Sequence, residues 1–378
     1  MKKVWDKISK ITGKKSNRLL NHLNNASDEP IVNKKDIANE LGNNFKNCSS
    51  SNNYSSEFQN IKSTQERRKI NFKTKISFNY NKKFKLRDLN RSLKKSNNSA
   101  PGVDQIHYQI LRHLPVETKK IFIDLINEYW NKGDFPPSWR EALIIPIPKP
   151  GKDPLKAINY RPIALTSCMC KVVERMVNER LIWYLEKHGL LSPYQSGFRA
   201  HRGTIDHLVR LETFIRNAFV QGHHVVAVFF DLQKAYDTTW KYGILKDLHD
   251  LGLRGNLPIF ISNFLDDRTF QVLYSTTLSD TFTQEEGVPQ GAILSTTLFN
   301  IKVNNITKAI ASNIDCSLYV DDFLICYSSP SIIEIERQLQ ISINNLQTWT
   351  LHNGFTISAQ KLLLCIFAIN VADSLILS

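Results

Sequence analysis

Two stretches of the sequence, "HVVAVFFD" at 224–231 and "SLYVDDFLI" at 317–325, leave the chain little freedom in how it folds. Each is an apolar run with the length and composition of a buried strand, and each is broken by aspartate: Asp231 ends the first, while Asp321 and Asp322 interrupt the second. At about 4 Å and an effective dielectric near 20, two like charges repel by roughly 4 kcal/mol. Burying a carboxylate without a partner costs more again. Only two residues separate "CSLYV" from "FLICY", which predicts a hairpin with the aspartates at or beside its turn. Two strands of one sheet, each reaching aspartate at the same edge, would gather carboxylates around one point. Mg²⁺ takes oxygen ligands and completes its shell with phosphate oxygens. Two such ions about 4 Å apart serve phosphoryl transfer, and their charge offsets the repulsion. Side chains alternate along a strand, so Asp321 and Asp322 need not both be ligands. A polar hairpin tip would explain a lone Asp-Asp pair equally well; the apolar setting and the second strand ending at Asp231 favour the metal reading.

The remainder of the chain narrows the class of partner. Residues 1–100 hold 23 Lys and Arg against 8 Asp and Glu, and the other 278 hold 26 against 27, so the whole net charge of +14 belongs to the N-terminal part. A basic arm on a neutral body suggests a polyanion, most often nucleic acid, with a lysine-rich solvated tail as the plain alternative. Six cysteines are scattered, most of them in apolar segments, which suits buried thiols in a reducing compartment. Cys168 and Cys170 have no second ligand pair at zinc spacing and read as a helical core face. "MKKVWDKISKITGKK" is no signal peptide, and no apolar run approaches the ~18 residues of a membrane span. The expectation is an intracellular protein, in the nucleus or the cytoplasm, with no membrane partner.

Residues 1–75, rich in Asn, Ser and Lys, read as a basic, partly disordered linker with short helices, and residues 76–378 as the folded body. "LPVETKKIFIDLINEYWNKG" predicts a helix closed by Gly133, and "EALIIPIP" a strand running into a turn with Lys149 and Lys152. "CKVVERMVNERLIWYLEKHG" predicts a helix stopped by Gly189, and Ile205, Leu208, Leu211, Ile215 and Phe219 mark the core stripe of another. "KAYDTTWKYGILKDLHDLG", after Asp231, also reads as helix.

At this point the residues carry a resemblance. "FFDLQKAYDTTW", "GVPQGAILSTTLFNI" and "LYVDDFLI", in that order, resemble the core palm motifs of reverse transcriptases, particularly those of non-LTR (LINE-type, jockey-like) retrotransposons. "WREALIIPIPKPGKDP", "NYRPIALTSCMCKVVERMVNERL" and "QSGFRAHRGTIDHL" resemble the fingers segments of the same family, and "SAPGVDQIHYQILRHLP" the segment before them. The likeness spans roughly residues 85–370. It implies an α+β fold, a ferredoxin-like antiparallel palm sheet backed by helices, with a fingers subdomain. It also implies RNA-directed DNA polymerase activity: addition of dNTPs to a DNA primer 3′-hydroxyl on an RNA template, with two Mg²⁺ or Mn²⁺ ions.

By this resemblance Asp231, Asp321 and Asp322 hold the metals, assisted by the backbone carbonyl of Leu232. Tyr236 lies under the incoming sugar and excludes a 2′-hydroxyl; Gln290 and Gly291 line the nucleotide and template pocket. Lys149 and Arg161 hold the triphosphate, and Lys361 matches a lysine near the leaving pyrophosphate. Without these neighbours Tyr236 would read as a core aromatic, "GVPQG" as a plain turn, Lys149 as a loop tip and Arg161 as a helix cap. Thr296 and Ala292 stand where the family usually has Pro and Ser, Lys302 replaces an apolar or aromatic residue, Asn305 an Asp, and Leu362 a Thr or Ser. Together these departures read as an element copy in drift, and the chain resembles a fragment without endonuclease or thumb. The competing expectations are an inactive nucleic-acid-binding remnant and an RNA-synthesising polymerase; Tyr236 speaks against the second.

Overall fold

The computed structural model describes residues 22–25 and 27–368. Eleven strands are formed among them: β1 (Leu23–Asn24), β2 (Pro30–Ile31), β3 (Glu141–Pro148), β4 (Tyr160–Leu165), β5 (His224–Asp231), β6 (Thr269–Tyr274), β7 (Thr277–Leu278), β8 (Phe282–Thr283), β9 (Asp315–Tyr319), β10 (Asp322–Ser329) and β11 (Leu363–Phe367).

The sheet that matters for function is four-stranded, in the order β11-β5-β10-β9, with every neighbouring pair antiparallel. Taken in chain order, its strands lie 4-1-3-2, with helices between the first and second and between the third and fourth: the ferredoxin-like arrangement. Alternation sorts its residues onto two faces. Val226, Val228, Phe230, Phe323 and Ile325 pack with Phe299 and Val303 of the Ile293–Val303 helix and with Ile335, Leu339 and Leu346 of the Ile332–Asn353 helix. Val225, Ala227, Leu324 and Cys326 pack beneath Leu211, Phe214 and Ile215 of the Thr204–Val220 helix. With both faces covered, β5 is the continuous apolar run the sequence shows.

A second sheet, in the order β4-β3-β6-β7 with β8 on β6, forms the fingers. Its buried face (Ala142, Ile144, Tyr160, Ala164, Phe270, Val272) meets Ile37, Ala38, Leu41 and Phe45 of the Lys34–Cys48 helix. The Val116–Lys132 helix ends at Gly133, whose φ of +67° makes the left-handed cap, and the Cys168–Lys187 helix is followed by Gly189 at φ +58°. Cys168 and Cys170 are buried on that helix. Among the described residues no helix is long and apolar enough to cross a membrane.

Three expectations need correction. Residues 34–66 hold the short helices expected there but pack on the body: the Lys34–Cys48 helix lies on the fingers sheet, the Ser56–Glu66 helix starts on a Ser55 cap, and Tyr54 and Phe58 pack on Trp240. A few apolar side chains spaced through polar sequence anchor the segment. Residues 1–21 of the basic arm lie outside the described residues. On the Thr204–Val220 helix only the inner part of the predicted stripe packs; Ile205, Leu208 and Phe219 are exposed. After Asp231 the chain makes turns through Lys234–Thr238, and helix begins only at Lys241.

Lys302 is buried, with its Nζ 3.3 Å from Asp247 Oδ2 and 2.8 Å from Asn353 Oδ1. A paired and hydrogen-bonded ammonium is the form in which a core tolerates a lysine, so this departure from the family pattern has its compensation built beside it.

Candidate active site

The register of β5 and β10 decides where the acids meet. Asp322 is the cross-strand partner of Asp231, so these two residues share one face at one end of the sheet. Asp321 precedes β10 in the turn from β9, directly after Val320, whose φ is +61°. Burial raises the Asp321 carboxyl above its ordinary range, and the charges of Asp322 and Asp231 add to the shift. Burial also raises Asp322, with Asp231 again adding and Lys361 opposing. Burial and like charge therefore both work against the ionised forms of Asp321 and Asp322, and Lys361 offsets them only in part.

Beside the turn lies an open cleft of about 410 Å³, lined by Ile163, Phe198, Tyr236, Gln290, Gly291, Thr296, Tyr319, Val320, Asp321 and Asp322. It brings together five of the predicted site residues, Tyr236, Gln290, Gly291, Asp321 and Asp322. Tyr236 is fixed by stacking on Phe299, with ring centroids 4.7 Å apart and planes 14° from parallel. Its hydroxyl is pushed above the ordinary phenol range by burial, and Asp321 adds to that. The "GVPQG" segment is more than a turn. Gly287 N–H donates to Thr239 O and Val288 N–H to Tyr236 O, each at 2.8 Å, while Ala164 N–H donates to Gln290 O at 2.8 Å. Gly291 has φ +129°, and a Cβ there would stand 2.5 Å from Ala164 O, so the loop requires glycine at this point. The loop thus ties the palm at Tyr236 to the fingers at β4.

The remaining predicted residues do not line this cleft. Arg161 is exposed on β4, in register with Ile147 and two residues before the cleft residue Ile163. Lys149 follows β3; its Nζ donates to Ile158 O at 2.8 Å. Burial lowers its pKa, and Arg161 and Lys234 lower it further. Leu232 buries its side chain and bridges to Ile357, so its main chain is the part available to the site. Lys361 reaches back to the acids: its Nζ lies 2.9 Å from each oxygen of Asp231. Among the described residues no three His, Cys, Asp or Glu side chains already stand together as a metal site; Asp231 is instead held by this ammonium.

Asp237 went unnoticed in the sequence. Gln290 Nε2 donates to its Oδ1 at 2.8 Å. Its carboxyl is raised to about 6 by burial, with the Gln290 hydrogen bond, Lys234 and Lys149 pulling the other way. The signal lies in "KAYDTTW", an acid immediately after the motif tyrosine, in a stretch that the sequence shows only as helix.

Residues 147–369, more than half of the chain, match the family described as "Reverse transcriptase (RNA-dependent DNA polymerase)". The chain is 30% identical over 268 residues to the RNA-directed DNA polymerase from mobile element jockey of Drosophila melanogaster, and 31% identical over 268 residues to that of Drosophila funebris; each match covers 69% of this chain and 29% of the relative. It is 29% identical to the probable RNA-directed DNA polymerase from transposon BS of Drosophila melanogaster, over 69% of this chain and 30% of that one. The chain therefore spans under a third of the length of these curated relatives. A solved apo telomerase from Candida Tropicalis overlaps at a TM-score of 0.46 and 15% identity, over 66% of this chain and 56% of that one. With the palm sheet, the acid pair and the motif loop in place, the chain belongs to the reverse transcriptase family, among relatives from non-LTR retrotransposons.

Proposed function

We propose that the cleft carries out RNA-directed DNA synthesis, adding deoxynucleotides to the 3′-hydroxyl of a DNA primer paired to an RNA template. The observation that carries this reading is the meeting of Asp231 and Asp322 in register, with Asp321, at the edge of a cleft that also holds Tyr236, Gln290 and Gly291. The primer oxygen attacks the α-phosphorus, the bond to pyrophosphate breaks, and the hydroxyl proton passes to solvent.

Asp321 and Asp322, whose ionised forms are disfavoured by burial and like charge, offer the hard oxygen donors that Mg²⁺ or Mn²⁺ takes. Asp231, Asp321 and Asp322, with the Leu232 carbonyl, would hold them. Two bound ions would make the 3′-hydroxyl more acidic and neutralise charge on the phosphates. The chain's own groups do the rest. The ring of Tyr236, braced by Phe299, forms the surface against which a deoxyribose sits and leaves no room for a 2′-hydroxyl. Arg161 and Lys149 offer cationic donors to the triphosphate. Lys361, paired to Asp231, would meet charge that develops on the departing pyrophosphate. Grip on an RNA–DNA hybrid would come from its backbone and shape, not its sequence.

The test is extension of oligo(dT) on poly(rA) by the purified chain with dTTP and Mg²⁺ or Mn²⁺. Product longer than the primer is expected with dTTP, and much less with UTP. Absence of extension under both metals, from a protein that is folded by circular dichroism, contradicts the proposal.

A further inference from the structure

The turn that carries Asp321 has a conformation it would not hold by itself. Val320 is β-branched, yet its φ is +61°, a region such residues scarcely populate. Residues kept there are kept by their surroundings, and here the surroundings come from a segment 125 residues away in the chain. Gln195, fully buried, accepts the Val320 N–H on its Oε1 at 3.0 Å, and the same oxygen accepts the Gly197 N–H at 2.7 Å. Its Nε2 lies 3.5 Å from the Val320 carbonyl. Alongside, Ser196 N–H donates to Leu318 O and Leu318 N–H to Tyr194 O, both at 3.0 Å, so residues 194–196 run as an added rail beside β9.

Gln195 is itself anchored. Arg199 and Arg202 both donate to its backbone carbonyl, at 3.0 and 3.1 Å, and Arg199 is paired to Glu186 at 2.7 Å. Gly197 completes the fit: a Cβ there would stand 2.5 Å from Val320 Cγ2 and 2.7 Å from the Val320 nitrogen. A chain of contacts therefore runs from Glu186 through Arg199 and Gln195 to Val320, and ends at a carboxylate of the cleft.

We propose that Gln195 is a positioning residue for catalysis: its side-chain oxygen holds the Val320 turn in its left-handed form and so fixes where Asp321 points. This rests on the reading of the cleft as a polymerase site. It assigns a task to "QSGFRAHRG" that its likeness to a fingers motif does not supply. The motif's glutamine and two arginines build the support of the catalytic hairpin, whether or not they also touch nucleic acid.

The proposal predicts coupling between Gln195 and Val320. Gln195→Met keeps the volume and removes the acceptor. Single-nucleotide addition should fall at least about tenfold in kcat, since a misplacement near 1 Å can cost up to about a hundredfold, with KM for dTTP little changed. Glycine takes positive φ without help, so in a Val320→Gly background the same substitution should cost no more than about threefold, a departure from additivity that marks direct interaction. Equal fold-losses in the two backgrounds, or no loss in either, would overturn the proposal. Hydrogen exchange of the wild-type chain gives a second reading that needs neither a folded variant nor activity. The Val320 and Gly197 amides should exchange slowly and together; rapid exchange at Val320 beside a protected β9 contradicts the clamp. If the wild-type chain extends no primer but both amides are protected, the polymerase reading fails while the clamp stands.

Discussion

Asp237→Asn removes a measurable pH effect, that of the half-buried acid under Gln290. In the folded chain the Asp237 carboxyl is raised from 3.8 to about 6, with burial as the main cause. Below pH 3.8 it is protonated whether the chain is folded or not, and the preference for the neutral form contributes fully to stability. Between pH 3.8 and 6 the unfolded chain releases its proton first, so stability falls through that window. Above pH 6 the folded chain carries a half-buried carboxylate. A raise of about 2 units at 1.36 kcal/mol each puts the loss near 3 kcal/mol. Asparagine has no proton to lose and still offers Oδ1 to Gln290. Urea denaturation of both proteins at intervals from pH 4 to 8 should give curves that nearly coincide at pH 4 and separate through pH 6, with Asp237→Asn the more stable at pH 7 and the m-value unchanged. An ionised acceptor holds Gln290 more firmly than a neutral one, so the variant should gain stability and lose extension rate. A stability difference that stays constant from pH 4 to 8 would refute the reasoning. It would mean that Lys149 and Lys234 stabilise the carboxylate enough to cancel its burial.

Three further outcomes follow from the same geometry. Asp247→Ala leaves the Lys302 ammonium in the core with Asn353 alone. It should cost about 3–5 kcal/mol, most of it recovered by adding Lys302→Met; a cost in urea titration below about 1 kcal/mol would contradict the pairing. Tyr236→Ala should raise incorporation of UTP relative to dTTP by about 10–100-fold, the range a packed pocket gives against one added hydroxyl, while Tyr236→Phe should leave the ratio unchanged; equal ratios in all three proteins would make the tyrosine structural. Lys361→Met frees Asp231 from a partly exposed ion pair of about 0.2–1 kcal/mol. Mn²⁺ affinity, read by its paramagnetic resonance signal, should rise by no more than about fivefold; a fall would show that the lysine does not compete with the ion.

The sequence shows the palm more clearly than the site's supports, and the reasons are physical. β5 and β10 are legible because a strand covered on both faces must be apolar throughout, so an aspartate within or at the end of one stands out. Gly133 and Gly189 mark helix ends because left-handed caps favour glycine. Helical spacing on Thr204–Val220 shows an apolar stripe but cannot show how much of it a neighbour covers; Leu211 and Ile215 meet the sheet, whereas Ile205 and Leu208 do not. The order of residues 34–66 is hidden for the opposite reason, since its anchors Leu41, Phe45 and Phe58 are diluted in Asn, Ser and Lys. Asp237 and Gln195 escape a reading by motif because their work is done on backbone and amide groups far away in the chain: Gln195 lies 125 residues from the N–H it accepts.

The central claim is that the acids at the end of β5 and the start of β10 carry DNA synthesis. Single-turnover addition of dTTP to oligo(dT) on poly(rA), by the wild-type chain and by Asp231→Asn, tests it most directly. The account predicts Mg²⁺- or Mn²⁺-dependent addition by the wild type. It predicts none above background for Asp231→Asn, with that variant folded and within about 1 kcal/mol of the wild type, since the lost Lys361 ion pair offsets the relieved repulsion. Equal addition by the two proteins would contradict it.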